Sequence, residues 1–96
     1  MKLLSVKKST RKGKKLMAVF DDGTTTHFGA IKPDGQPYDD YTLKKDKDQR
    51  DRYRARHASG KNASAKTADA LAYHLLWGES TSLQQNIKDY KKKYNV

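Results

Sequence analysis

The sequence predicts an α+β fold: an N-terminal three-stranded antiparallel β-meander packed against two to three short C-terminal α-helices. Three observations lead there. Residues 3–30 hold short apolar or β-branched runs separated by turn residues; both prolines fall within "KPDGQPYDD", residues 32–40; and beyond residue 44 the side chains take helical spacing.

In the first strand, 3–8, Leu4 and Val6 alternate with polar neighbours, and "STRKG" punctuates it. The second, 14–20, contains the compact run "KKLMAVF". The third, 24–29, is the threonine- and aromatic-rich "TTTHF". Between them "DDG" is a hairpin signal, because Asp tolerates turn geometry and Gly23 supplies a positive φ. A two-residue loop at Asp22-Gly23 would set Phe20 opposite Thr25 and separate Phe20 from Phe28. A three-residue loop closed by a Gly23 bulge sets Phe20 opposite Thr24. Leu16, Ala18, Phe20, Thr26 and Phe28 then share one face, and His27 lies with Met17 and Val19 on the other. Burial of both phenylalanines selects the second register.

Residues 31–43 form a turn-rich connector, and 44–94 a helical part of the same domain. The segment 44–57, "KKDKDQRDRYRARH", has strong helix formers and the i, i+4 pairs Asp46–Arg50 and Asp48–Arg52, with Tyr53 its one large apolar anchor. After a loop of small residues, Thr67 caps a helix carrying Ala68, Leu71, Ala72 and Leu75. Trp77 is its core plug, His74 is partly exposed, and Gly78 is placed as a left-handed C-terminal cap. Ser80, Thr81 or Ser82 caps the last helix, whose stripe is Leu83, Ile87, Tyr90 and Tyr94.

Composition bounds the function. With 96 residues, 34% hydrophobic and 33% charged, the core must be thin and a deep catalytic pocket is not expected. A net charge of +10 favours acidic partners. The chain has no cysteine, which excludes thiolate metal sites and points to a reducing compartment. Neither a signal-peptide h-region nor a membrane-length apolar run is present, so membrane insertion is not expected and the chain is placed inside the cell or a particle assembled there.

Asp21, Asp22 and His27 carry acid–base chemistry in other contexts, but their spacing is that of a turn. No phosphate-binding glycine loop, nucleophile elbow or paired-carboxylate site is found, so the expectation is no catalytic residue, no metal and no cofactor. The contact candidates are basic. Lys7, Lys8, Arg11, Lys12, Lys14 and Lys15 cluster at one hairpin end, where they suit phosphates or equally protect a solvated hairpin from edge pairing. Arg50, Arg52, Arg54 and Arg56 form two ridges of a helix, as phosphate contacts or as a salt-bridged surface. Lys91, Lys92 and Lys93 close the chain's basic C-terminal stretch.

The segments Thr25–Ala30, Asp40–Thr42, Lys45–Asp46, Arg50–His57 and Leu75–Trp77 together resemble a family of short, basic, functionally uncharacterised proteins of large double-stranded DNA viruses of algae and protists. Two departures stand out: Lys44 occupies a position often histidine in that family, and residues 58–66 differ in content. The resemblance implies a viral setting, in the virion and in the host cytoplasm or nucleus during assembly. In that setting the expected function is a non-enzymatic minor capsid component that bridges larger capsid proteins or other acidic surfaces. The alternative is a DNA- or RNA-binding protein associated with the genome.

Overall fold

The fold is that of a computed structural model describing residues 1–96. Three strands, β1 (Leu3–Lys8), β2 (Lys14–Phe20) and β3 (Thr25–Ala30), form an antiparallel sheet in the order β1-β2-β3. The β2–β3 hairpin has the three-residue loop. The Phe20 amide donates to the Thr24 carbonyl at 3.0 Å, the Gly23 amide to the Phe20 carbonyl at 3.2 Å, and Gly23 has a φ of +88°. Leu16 therefore pairs with Phe28, Met17 with His27 and Ala18 with Thr26, and both phenylalanines are buried. Asp22 braces the turn by accepting from the Thr24 amide at 3.0 Å and its hydroxyl at 2.6 Å.

The β1 edge departs from simple alternation. A bulge between Leu3 and Ser5 puts Leu3 opposite Phe20 in the core and leaves Leu4, expected to share a face with Val6, 63% exposed. One extra residue thus inverts the face of everything before it.

The connector folds back through a bridge between Ile31 and Pro37 and ends at Asp40, which caps α1 (Tyr41–Lys44) by accepting from the amides of Thr42 and Leu43. The single helix expected over 44–57 is broken. Lys45 takes a left-handed φ of +59°, and Asp46 restarts the chain as the cap of α2 (Lys47–Arg56). Because the Asp46 carboxylate accepts from the Gln49 amide, it makes no ion pair with Arg50; Asp48 and Arg52 make none either, both being exposed to water.

A 3₁₀ turn over Ala58–Asn62 leads to α3 (Ala68–Leu71), capped by Thr67 and continued as a wide π turn over Ala72–Leu76. The turn ends in Trp77, whose amide reaches back to the Ala72 carbonyl at 3.2 Å. Gly78 is not left-handed, contrary to expectation; it is required by crowding. A Cβ there would stand 2.3 Å from the His74 carbonyl oxygen and 2.8 Å from Asn86 Oδ1. Ser82 caps α4 (Leu83–Tyr94).

The segment α3 with its π turn covers β3, and α4 packs on that π turn. Of the two helical segments expected on the sheet, only α3 with its π turn rests mainly on it. Their shared core joins Leu3, Ala18, Phe20 and Phe28 to Leu71, Leu75, Leu76, Trp77, Tyr90 and Val96. Of the α4 stripe, Tyr90 is fully buried and its hydroxyl donates to the Ala65 carbonyl at 2.5 Å, while Leu83 and Ile87 are half-buried. Asn86 fills the stripe's remaining position. Its amide donates to the Leu75 and Ser80 carbonyls at 3.0 and 2.8 Å and accepts from the Ser80 amide, so a fully buried polar side chain is satisfied at a helix end.

Candidate functional site

The basic residues do not form one patch. Strand alternation points Lys7 to the sheet face of Met17 and Lys8 to that of Leu16. Lys15 is removed from the pool of free cations by Asp40, which it meets at 2.5 Å. Arg50, expected on an outer ridge, is buried. Its guanidinium lies 4.8 Å from the Tyr41 ring centroid, donates to Asp51 at 3.0 Å and points at the Gly78 and Glu79 carbonyls. Arg54 is tied to Glu79 at 3.0 Å and lies over Tyr73; burial alone would lower its pKa, but its bonds to Tyr73 and Glu79 outweigh that and raise it. Lys7, Lys8, Arg11, Lys12, Arg52, Arg56 and Lys91–Lys93 stay exposed, and Lys14 half-exposed.

Of these only Arg56 lines a cavity of about 530 Å³ between the sheet end, the connector, α2 and the π turn, where Lys32, a cation outside the expected set, joins it. A chain with so thin a core was not expected to hold one. Three rings form a column in its wall: Tyr53 stacks on Trp77 with centroids 4.4 Å apart and on His57 at 4.2 Å, the planes within 9° and 19° of parallel. Trp77 is buried and His57 is the exposed end. Burial raises the Tyr53 pKa, Asp69 adding to the effect and Arg56 opposing it, so the phenol stays protonated.

Around the rings stand Tyr38, 50% exposed with Lys32 above its ring at 5.7 Å, and Arg56 at the end of α2. Lys14 pairs with Ala30, a lining residue, and the Gly13 carbonyl accepts from Ile31, so the basic turn Arg11–Lys14 adjoins the cavity. The Asp40 carboxylate is fully engaged by Lys15, Thr42 and Leu43. Gln49 differs: its Oε1 is buried in the cavity wall without a hydrogen-bond partner.

Sequence reasoning passed over Asp40, Gln49, Tyr38 and Lys32. The Tyr53–His57 spacing of one helical turn is visible in the chain; the approach of Trp77 carries no local signal. Across the sheet, His27 lies with half-exposed Met17 and Val19, its Nδ1 2.7 Å from Ser9 Oγ. A smaller cavity of about 300 Å³ lies between Arg54, His74 and Lys93, where His74 Nε2 donates to the Lys61 carbonyl at 2.9 Å. No helix is long and apolar enough to cross a membrane.

The fold and site define a small basic α+β protein with an aromatic-lined cavity flanked by free cations. Residues 4–57 match a family of unknown function (DUF5754), and the protein belongs to that family. No curated protein and no solved structure matches the chain.

Proposed function

We propose that the protein is a non-enzymatic nucleic-acid-binding protein that engages unpaired nucleotides at the ring-lined cavity. The observation that carries this reading is the meeting, at one cavity, of two open rings, His57 at the end of the Trp77–Tyr53–His57 column and Tyr38, with the cations Lys32 and Arg56, neither of which has a carboxylate partner. Aromatic faces hold bases with about 1–3 kcal/mol each regardless of sequence, and a basic groove tracks the backbone. Here Lys32 and Arg56 stand in the cavity wall, the turn Arg11–Lys14 adjoins it, and Arg52 lies one helical turn before Arg56 on α2. Neither the ridge nor the hairpin alone offers a platform for bases.

Fluorescence anisotropy of labelled single-stranded and duplex oligonucleotides tests it between about 50 and about 300 mM salt. Affinity is expected to fall linearly on a double-logarithmic plot, with the single strand bound more tightly. Absence of binding near physiological salt, or binding indifferent to salt, overturns the proposal.

The capsid-bridging reading draws on another surface, the outer sheet face where Met17 and Val19 are half-exposed. It belongs to the viral setting that the sequence resemblance implies. Mass spectrometry of DNA-depleted particles tests it, and absence of the chain from the shell rejects it.

A further inference from the structure

We propose that β1, the open edge of the sheet, takes a short acidic segment of a partner protein as an added strand. The two edges of the sheet differ. At the β3 edge α3 packs over the strand and the connector doubles back on its end, the Tyr38 amide donating to the Ala30 carbonyl at 3.3 Å. β1 has β2 as its one strand neighbour, and no helix packs along it. The register shows which groups are left over. The Ser9 amide donates to the Lys15 carbonyl at 3.1 Å, so Ser9, and by alternation Lys7 and Ser5, bond to β2. The amides and carbonyls of Val6 and Lys8 therefore point away from the sheet, spaced to pair with another extended chain.

Charge selects the occupant. Lys2, Lys7 and Lys8 are exposed along this edge without an ion-pair partner. Asp21, at the start of the edge, is engaged by the Lys2 amide at 2.8 Å. A second copy is disfavoured, because it sets these lysines against their own counterparts on a chain of net charge +10. The same lysines attract a strand carrying Asp or Glu. Apolar contact comes from Leu4, which the bulge leaves exposed, and from half-exposed Val6, so the fitting segment alternates acidic with β-branched residues. A peptide is favoured over nucleic acid at this edge, since β1 has no ring on which a base stacks. The wall of the ring-lined cavity contains no β1 residue, so the edge does not rest on the nucleic-acid reading.

The test is NMR titration of the whole chain with a capped hexapeptide of alternating glutamate and valine, and with the same peptide N-methylated throughout, which keeps its charge and loses its donors. The unmodified peptide is expected to shift the Val6 and Lys8 amides, to slow their hydrogen exchange and to bind more weakly as salt rises. N-methylation is expected to weaken binding about tenfold, as the loss of two hydrogen bonds implies. Lys7→Glu/Lys8→Glu is expected to abolish the shifts with folding kept, because both side chains are exposed. If that variant does not fold, the comparison of the two peptides on the unaltered protein decides. Equal binding of both peptides, or shifts confined to residues outside β1, overturns the proposal. Slow exchange of the Val6 and Lys8 amides in a dimer of the free chain also overturns it, because a second copy then fills the edge. Oligonucleotide binding without peptide binding overturns this inference and leaves the nucleic-acid reading standing.

Discussion

Lys15 on β2 and Asp40 at the start of α1 close an ion pair at 2.5 Å, with the carboxylate 3% exposed and the lysine 18%. The pair joins the sheet to the helical half, and the same carboxylate caps α1. Asp40→Ala is expected to cost about 3 kcal/mol, because it strands a poorly hydrated ammonium and two helix-end amides. Asp40→Asn keeps acceptors for Thr42 and Leu43 and is expected to cost about 1–2 kcal/mol. Urea unfolding of both Asp40 variants measures these costs, and that of Asp40→Asn, of Lys15→Met and of the double variant Lys15→Met/Asp40→Asn measures the coupling. Costs that simply add would show that the two groups act independently.

Two glycines separate crowding from backbone conformation. Gly35 has a φ of +88° and open space around it, so Gly35→Ala is expected to cost about 1–2 kcal/mol. Gly78 has no left-handed φ but no room for a methyl group, so Gly78→Ala is expected to cost about 3 kcal/mol. Denaturation midpoints with equal slopes check the order, and a harmless Gly78→Ala would refute the packing of the π turn on Asn86.

The arginines of α2 divide by burial. Arg50→Ala is expected to lower stability by about 2–4 kcal/mol while leaving oligonucleotide affinity unchanged in the folded fraction. Arg52→Ala and Arg56→Ala are expected to stay within about 0.5 kcal/mol of the parent stability. Each is expected to reduce the salt slope of oligonucleotide binding by about 1. Anisotropy and thermal melts on the three variants check this.

Burial holds the His74 imidazole below its ordinary value of 6.5, with Lys93, Arg54 and Lys61 adding to the effect and the Lys61 carbonyl opposing it. The unfolded chain therefore takes up a proton at higher pH than the native one. Stability is full above 6.5 and falls as the pH drops through that value toward the lowered native one, below which the loss levels off. Asp22, whose carboxyl Lys66 and Thr24 hold below its ordinary 3.8, contributes in a separate and more acidic window. His74→Gln is expected to flatten the urea midpoint between about pH 7.5 and about pH 5; an unchanged slope would sink the attribution.

The β2–β3 hairpin was legible because three independent signals agreed: alternation, a glycine at the turn, and two phenylalanines that one register alone buries together. The helix caps Thr67 and Ser82 and buried Tyr90 were legible for the same reason, as local chemistry and apolar period coincide. Arg50 was not. Its neighbours are charged, and only Tyr41 and the carbonyls of Gly78 and Glu79, distant in sequence, draw it inward. Asp40 read as one more acid in a turn because its lysine lies 25 positions away. The Leu4 bulge and the π turn leave the hydrophobic pattern almost unaltered while shifting which residues it buries. The cavity was hidden for a related reason: each wall comes from a different element.

The ring column bears on how far kinship and foldability coincide. The stretch shared with the family ends at His57, the exposed ring, while Trp77, the buried one, lies twenty residues beyond it. Phe20 and Phe28 likewise depend on Leu71, Leu75 and Leu76 for cover. A fragment cut at the shared boundary would keep the sheet and α2 but lose Leu71, Leu75, Leu76, Trp77, Tyr90 and Val96, the larger part of its own interior. The matched stretch is thus a sheet and a helix whose cover is supplied, in this chain, by the segment that follows it.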